Sequence, residues 1–366
     1  AMAAMDSGVA RMPIEDWDGY KEMLYKRLGS DDNILRSIIN KAKQAPKKVV
    51  FAEAENLKVL KAAQQVKDEG IAIPILLGDV KRTKKLIEDN ALQLTNVEII
   101  DPRSEEQADR REKYGALFFE KRYRRGYNLY EAKKVMRERP YFGCMMVETG
   151  EADALISGLT RQYPNTIRPA LEIIGTHHTA KKVAGMYMML SKKGPLFFSD
   201  TTINFNPTEE ELIDITLQTA NAVRHFGIKP RVAMLSYSNF GSSMSPEANL
   251  VRNVVERIKE IDGELVIDGE MQAGVAFNQE LLKENYPFSD LVSGSPNTLI
   301  FPNLAAGNIA YHLLQEVGGA EAVGPILLGM KKPVHVLQLG SSVRQIVNMV
   351  AIAVVEAQVK SNESHG

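Results

Sequence analysis

KKVVFAEAENLKVLKAAQQVKDEGIAIPILLG, Lys47 to Gly78, contains one full turn of the pattern that decides the architecture. Val49, Val50 and Phe51 form a short β-rich run, Leu57 to Glu69 carries its apolar residues at helical period, and Ile71 to Leu77 is a second strand ended by Gly78. A strand, a helix and a strand in this order need a crossover, which makes the two strands parallel. The alternation continues through VEII (97–100), ADALISG (152–158), KKVAGMYMML (181–190), GPLFFSD (194–200), RVAMLSYS (231–238), ELVIDGE (264–270), NTLIFPN (297–303) and KPVHVLQLG (332–340). Short apolar strands separated by amphipathic helices imply mainly parallel sheets covered on both faces, an α/β architecture.

At 366 residues the chain exceeds the size at which one core usually stops growing, so two lobes are expected. Charged residues make up 25%, and they leave no apolar run long enough to span a membrane. The 45 basic and 46 acidic residues nearly cancel, which argues against a chain-wide nucleic-acid surface but permits a local basic pocket for a small phosphorylated ligand. A single cysteine, Cys144, excludes an intrachain disulfide framework and a multi-cysteine zinc site, and fits a reducing cytoplasm. The opening AMAAMDSGVARMPIEDW has no secretory pattern. Ala1 to Ser7 is helix-compatible, Gly8 suits a C-cap and Pro13 a stop, as at the end of a helix belonging to a longer protein or a residual tag. Trp17, Tyr20, Leu24 and Leu28 recur at helical spacing, as do Ile34, Leu35, Ile38 and Ile39 after the Ser30–Asp32 capping cluster, predicting lead-in helices over residues 1–44.

In open parallel sheets ligands bind beyond the carboxyl ends of strands, so the residues after SYS, DGE, FPN and LQLG carry the interest. SYSNFGSS, Ser236 to Ser243, offers four serines and Gly241 around backbone N–H groups that can approach an anion; an ordinary polar strand-to-helix turn has the same composition. IDGEMQ sets Asp268 and Glu270 either side of a glycine; two acids there suit acid–base work or a metal, but without a clustered histidine the better reading is hydrogen bonding to backbone amides. In FPNLAAGNIAYHLLQ the proline ends a strand and Gly307-Asn308 opens a helix with close backbone approach. His312 on that helix, and His177-His178 in a loop, read as packed or surface histidines.

Taken jointly and in order, FAEAENLKVLKAA, RYRRGYNLYEAKK, FGCMMVETGEADALISG, NTIRPALEIIG, INFNPTEEELIDI, HFGIKPRVAMLSYSNFGSS, IDGEMQ, NTLIFPNLAAGN and GPILLGMKKPVHVL resemble the phosphate acetyltransferase and butyryltransferase family over nearly all of residues 45 to 360. Within it, SNFGSS, IDGEM and the tail PVHVL…SVR-x-IVNMVA-x-AVV-x-AQ look like the C-terminal acetyltransferase-like domain of bacterial hybrid NADP-dependent malic enzymes. The resemblance implies two α/β/α lobes, one inserted into the other, of the phosphotransacetylase and isocitrate-dehydrogenase-like type. The first lobe would take residues 45–177 and 326–362, and the second 178–325. It also implies an acyl-CoA site in the cleft, a homodimer formed through the second lobe, and a larger homo-oligomer in the parent protein, whose NADP and divalent metal would lie in its malic enzyme region.

Carried over residue by residue, the resemblance places the CoA phosphate on Arg122 and Arg168, with Ser236, Ser238, Gly241, Ser242, Asn308, Gly340 and Arg344 also in the acetyl-CoA site. Active relatives read roughly KPV-x-DLSRG with an aspartate five residues after the glycine; here Gln338, Leu339 and Gln345 hold the Ser, Arg and Asp places around Gly340. An amide cannot accept the proton of a thiol whose unperturbed pKa is about 8.5. No Asp or Glu occurs between Lys332 and Val355, so a small shift of register does not restore the base, although Arg344 restores a positive charge. The expectation is an acetyl-CoA-binding regulatory domain with no catalytic residues of its own; an active acetyltransferase with a displaced catalytic set and a purely structural oligomerisation module are the alternatives.

Overall fold

The computed structural model describes residues 33–191 and 194–363, together with Met5. The helices expected around Trp17–Leu28 and the cap at Ser30–Asp32 lie outside these residues. Helix α1 (Asn33–Gln44) leads into β1 (Lys47–Phe51), α2 (Leu57–Asp68), β2 (Ala72–Leu77), α3 (Val80–Asp89) and β3 (Glu98–Ile100). Helices α4 (Ala108–Arg122), α5 (Leu129–Val135) and α6 (Arg139–Glu148) precede β4 (Ala154–Ser157) and α7 (Tyr163–Ile173). The chain then leaves for a second sheet through β5 (Ala184–Ser191), β6 (Gly194–Ser199), α8 (Glu209–His225), β7 (Arg231–Leu235), α9 (Pro246–Ile261), β8 (Val266–Met271), α10 (Ala273–Ala276), α11 (Gln279–Asn285), β9 (Thr298–Ile300), α12 (Leu304–Glu316) and β10 (Glu321–Leu328). It returns through β11 (Val334–Val336) and ends on α13 (Val343–Glu363).

The first sheet has the order β11-β4-β1-β2-β3 and is parallel throughout. Its strands are buried on both faces, as crossover helices require; Val49, Val50, Phe51, Leu155, Ile156, Val334 and Val336 are all core residues. The second sheet has the order β10-β5-β6-β9-β7-β8, with β6, β9, β7 and β8 parallel and β10 and β6 antiparallel to β5. One lobe is thus inserted into the other. Its sheet runs to Leu328, paired with Ala184, three residues past the boundary drawn from the sequence.

Two strand features depart from the sequence reading. Among the described residues no helix lies between β5 and β6, which form an antiparallel pair. The second is β10, EAVGPILL, whose Gly324-Pro325 reads as a strand breaker. Proline is tolerated because β10 is an edge strand with an irregular register between Val323 and Ile326, where a ladder donor is not needed.

The lobes share apolar core. Leu35, Ile38, Leu60, Val347 and Val350 of the first pack in one cluster with Met186, Met188, Ile215, Val223 and Ile326 of the second. Among the described residues no helix is long and apolar enough to cross a membrane.

Candidate ligand cleft between the lobes

The stretch after β11 sits at the lobe junction. Gly340, at φ +90°, allows the tight turn that leads from β11 to α13. Lys58, at the start of α2, closes that turn by donating to the carbonyls of Gly340 and Ser341 at 3.3 and 3.2 Å. Gln338 is half-buried and donates its amide to the hydroxyls of Tyr187 on β5 and Tyr311 on α12, the latter at 3.3 Å. These two rings stack with centroids 4.2 Å apart, and burial raises both phenols above their ordinary range. Leu339 is 67% exposed and supplies neither charge nor donor.

Gln345 has a structural task. Its Oε1 accepts from the Ser342 N–H at 2.9 Å while its own N–H donates to Ser342 Oγ at 3.2 Å, a capping box that starts α13. With the oxygen committed there, its Nε2 donates to the Ala322 carbonyl on β10 at 3.3 Å. Arg344 is exposed and reaches Glu321 at 3.6 Å.

The two arginines expected to hold phosphate differ. Arg168, on α7, is exposed and carries no ion pair among the described residues. Arg122, at the end of α4, is half-buried and lies 3.6 Å from Glu172 on α7, a carboxylate that also accepts from Tyr127 at 3.0 Å and Tyr141 at 2.7 Å. Its guanidinium is thus ion-paired within the first lobe, with a buried Nε that has no hydrogen-bond partner among the described residues, and Lys121 is paired with Glu148 at 2.6 Å.

The serine loop does cradle an anion, and the anion is the protein's own. Glu270, fully buried at the end of β8, accepts from Ser238 Oγ and the Gly241 N–H at 2.8 Å each, and from Arg252 at 3.0 and 3.1 Å. Burial pushes its carboxyl up, but Arg252, the Gly241 amide and Ser238 outweigh it and hold it below the ordinary carboxylate range. Ser242 Oγ is engaged by Ser238 at 3.1 Å and by the Asn239 N–H at 2.9 Å. Ser238 and Gly241 are thus engaged by Glu270, while Ser242, whose Oγ meets Ser238 and the Asn239 N–H, is exposed. Ser236 does border an open space of about 710 Å³ with Tyr237, Phe301 and Asn303, lined wholly by the second lobe. Asp268 accepts from the Gly269 and Asp290 amides at 2.9 Å each, the backbone role its sequence suggested.

Asn308 donates to the Thr201 carbonyl at 3.2 Å. Helix α12 begins at Leu304, earlier than the Gly307-Asn308 start read from sequence, because Asn303 caps it through the Ala306 N–H. Gly307 sits in its first turn against the Asp200 carbonyl, where a Cβ would come within 2.5 Å. His312 is exposed beside Tyr311 at 2.8 Å; His178 is also exposed, and the His177 and His178 rings lie 4.1 Å apart.

Several residues at the junction escaped sequence reasoning. Glu53, buried after β1, accepts from the Gly158 N–H at 2.9 and 3.1 Å and organises the loop after β4; burial raises its carboxyl despite the surrounding amides and Arg161. Asp200 gathers the amides of Gly185, Thr202, Ile203 and Asn204. The Tyr163 hydroxyl, on α7, is buried without a hydrogen-bond partner among the described residues, and burial, with Asp200 nearby, raises it. The only sequence signal for Tyr187 was a lone phenol in an otherwise apolar strand, where a buried hydroxyl needs a partner.

The fold and this junction define a two-lobed α/β protein in which the stretch after β11 meets β5, β10 and α12 of the second lobe. Residues 33–354 match the family described as Phosphate acetyl/butaryl transferase, and the chain belongs to that family. It is 41% identical to an NADP-dependent malic enzyme of Haemophilus influenzae over 98% of the chain but 47% of that relative, and 40% identical to the Escherichia coli NADP-dependent malic enzyme over 48% of its length. The chain thus spans about half the length of these relatives. A phosphate acetyltransferase of Thermoanaerobacterium thermosaccharolyticum is 40% identical over 89% of the chain and its own whole length. The solved phosphotransacetylase of Streptococcus pyogenes superimposes with a TM-score of 0.83 at 34% identity, covering 89% of this chain and 98% of that one.

Proposed function

We propose that this chain is the acetyl-CoA-binding regulatory unit of a longer NADP-dependent, decarboxylating malic enzyme, and that it does not itself transfer acyl groups. The observation that carries the reading is the state of the segment 338–345: two amides and a leucine stand where the resemblance calls for a serine, an arginine and an aspartate, and both amides are committed to hydrogen bonds within the protein. Acyl transfer between acetyl phosphate and CoA needs a base for the thiol, and an amide is not one.

The ligand groups that remain are the free Arg168 guanidinium, suited to phosphate, and the partnerless Tyr163 hydroxyl on the same helix. Arg122 adds a guanidinium that lies 3.6 Å from Glu172 and whose buried Nε has no hydrogen-bond partner among the described residues. NADP and a divalent metal belong to the part of the parent protein outside this chain, and the reading includes a cytoplasmic location and a homodimer through the second lobe.

The test has two arms. Calorimetric titration is expected to show acetyl-CoA binding, weakened by Arg168→Ala and by a CoA lacking its ribose phosphate. Incubation with acetyl phosphate and CoA is expected to give no turnover, because loss of the base alone costs roughly 10² to 10⁴-fold. Turnover within about tenfold of an active relative would make the chain a working acetyltransferase. Absence of binding to any acyl-CoA would leave a structural module.

A further inference from the structure

The segment from His335 to Gln345 belongs to the first lobe, yet its side chains reach into the second. His335 Nδ1 accepts from the Leu327 N–H at 3.2 Å, Arg344 meets Glu321 at 3.6 Å, and Gln345 Nε2 donates to the Ala322 carbonyl at 3.3 Å, all on β10. Gln338 Nε2 donates to Tyr187 on the neighbouring strand β5 and to Tyr311 on α12. Strand β10 is a sheet edge, where backbone groups lacking a strand partner must find another, and the Gln345 amide supplies one donor.

Both glutamines act through the –NH₂ group, which a carboxylate does not have. The orientation of Gln345 is fixed by its surroundings, since the Ser342 N–H takes the oxygen and turns the nitrogen toward Ala322. The stacked Tyr187 and Tyr311 rings hold two hydroxyls side by side for Gln338, and these can donate as well as accept.

We propose that Gln338 and Gln345 are positioning residues, a pair of amide ties that hold the lobes in one arrangement and thereby set how readily the cleft accepts its ligand. The coupling to ligand rests on the acetyl-CoA reading above; the ties themselves do not. A ligand that fits a different spacing of the lobes must break them, so its apparent affinity is lowered by the fraction of molecules that remain tied. Loosening the ties removes that penalty.

Gln345→Glu isolates one tie, because the carboxylate still accepts from Ser342 but cannot donate to Ala322. Gln338→Leu removes the other, and Gln338→Glu preserves it, because the two tyrosines can donate to the new carboxylate. Hydrogen exchange of the unliganded chain is expected to be about fivefold faster across residues 321–328 and 338–346 in Gln345→Glu and Gln338→Leu, and unchanged in Gln338→Glu. The first two variants are also expected to bind acetyl-CoA about threefold or more tightly than the native chain. Exchange at the native rate in both would overturn the ties. Faster exchange with unchanged acetyl-CoA affinity would overturn the coupling and leave the amides a packing role. Failure of the native chain to bind acetyl-CoA would instead defeat the proposed function, with the exchange comparison still deciding whether the ties exist.

Discussion

Buried carboxylates show at the scale of single residues how this chain uses charge. Glu53, Glu270 and Asp200 are each wrapped by amides or an arginine, so their charge organises loops at strand ends and is not offered to a ligand. Glu356 on α13 is half-buried and paired instead with side-chain cations: it lies 3.0 Å from His335 Nε2 and 2.9 Å from Lys360. Burial pushes its carboxyl up, but Lys360 and His335 overcome this and bring it from 4.5 to about 2. A carboxyl depressed in the folded state binds fewer protons there than when unfolded, so its contribution is complete above about 4.5 and is lost as pH falls toward 2. The shift corresponds to on the order of 3 kcal/mol. Glu356→Gln is therefore expected to lower the denaturation midpoint at neutral pH and to flatten its fall across that acid window. Parallel acid profiles for variant and native protein would contradict the assignment.

Local sequence rules account for most elements. Asn56, Asp79, Thr208, Ser245 and Asn303 each cap a helix through a side-chain acceptor, and Thr208 with Glu211 forms a full capping box. Such signals lie within four residues of one another, which is why α2 is legible from composition and period, whereas the start of α12 was read at Gly307 and its Asn303 cap was missed. Strand β10 was not legible, since its Gly-Pro pair is acceptable only at a sheet edge, and edge position is a property of the assembled sheet. Helix α12 gives the test at this scale. Gly307 lets it lie against Asp200, Asn308 ties it to Thr201, and Tyr311 stacks on Tyr187. Gly307→Ala is expected to cost about 1 to 3 kcal/mol in chemical denaturation, the usual penalty of overpacking, and to weaken acetyl-CoA binding by displacing the helix. A variant as stable as the native chain would show that the helix can yield there at no cost.

Two kinds of contact join the halves of the whole molecule. On one side α13 and α2 share an apolar cluster with β5 and α8; on the other, polar ties run from the turn after β11 to β10, β5 and α12. The polar side consists of named donor–acceptor pairs, so a change in lobe arrangement would be read there as the loss of specific hydrogen bonds. A domain that binds a metabolite without transforming it acts on its parent only by binding one state better than another. Under the regulatory reading, acetyl-CoA is expected to lower malate oxidation by the full-length protein through a coupling of about 1 to 3 kcal/mol, measurable as a dose-dependent rate. Indifference of that rate at concentrations that saturate this chain would remove the regulatory role.

The sequence by itself determined the α/β class, ten of the strands and the absence of a carboxylate between Lys332 and Val355, because period and residue identity are local properties of the chain, while the two-lobed frame followed from its length and its family resemblance. It could not tell whether the serine loop faced a ligand or Glu270, or that Arg122 was held by Glu172, since those pairs are 32 and 50 residues apart. The same limit hid the Tyr163, Tyr187 and Tyr311 positions and the second task of Gln345. Only the tertiary structure decided these, because a polar side chain takes its role from whichever partner the fold brings within about 3 Å, and that choice is made between lobes rather than along the chain.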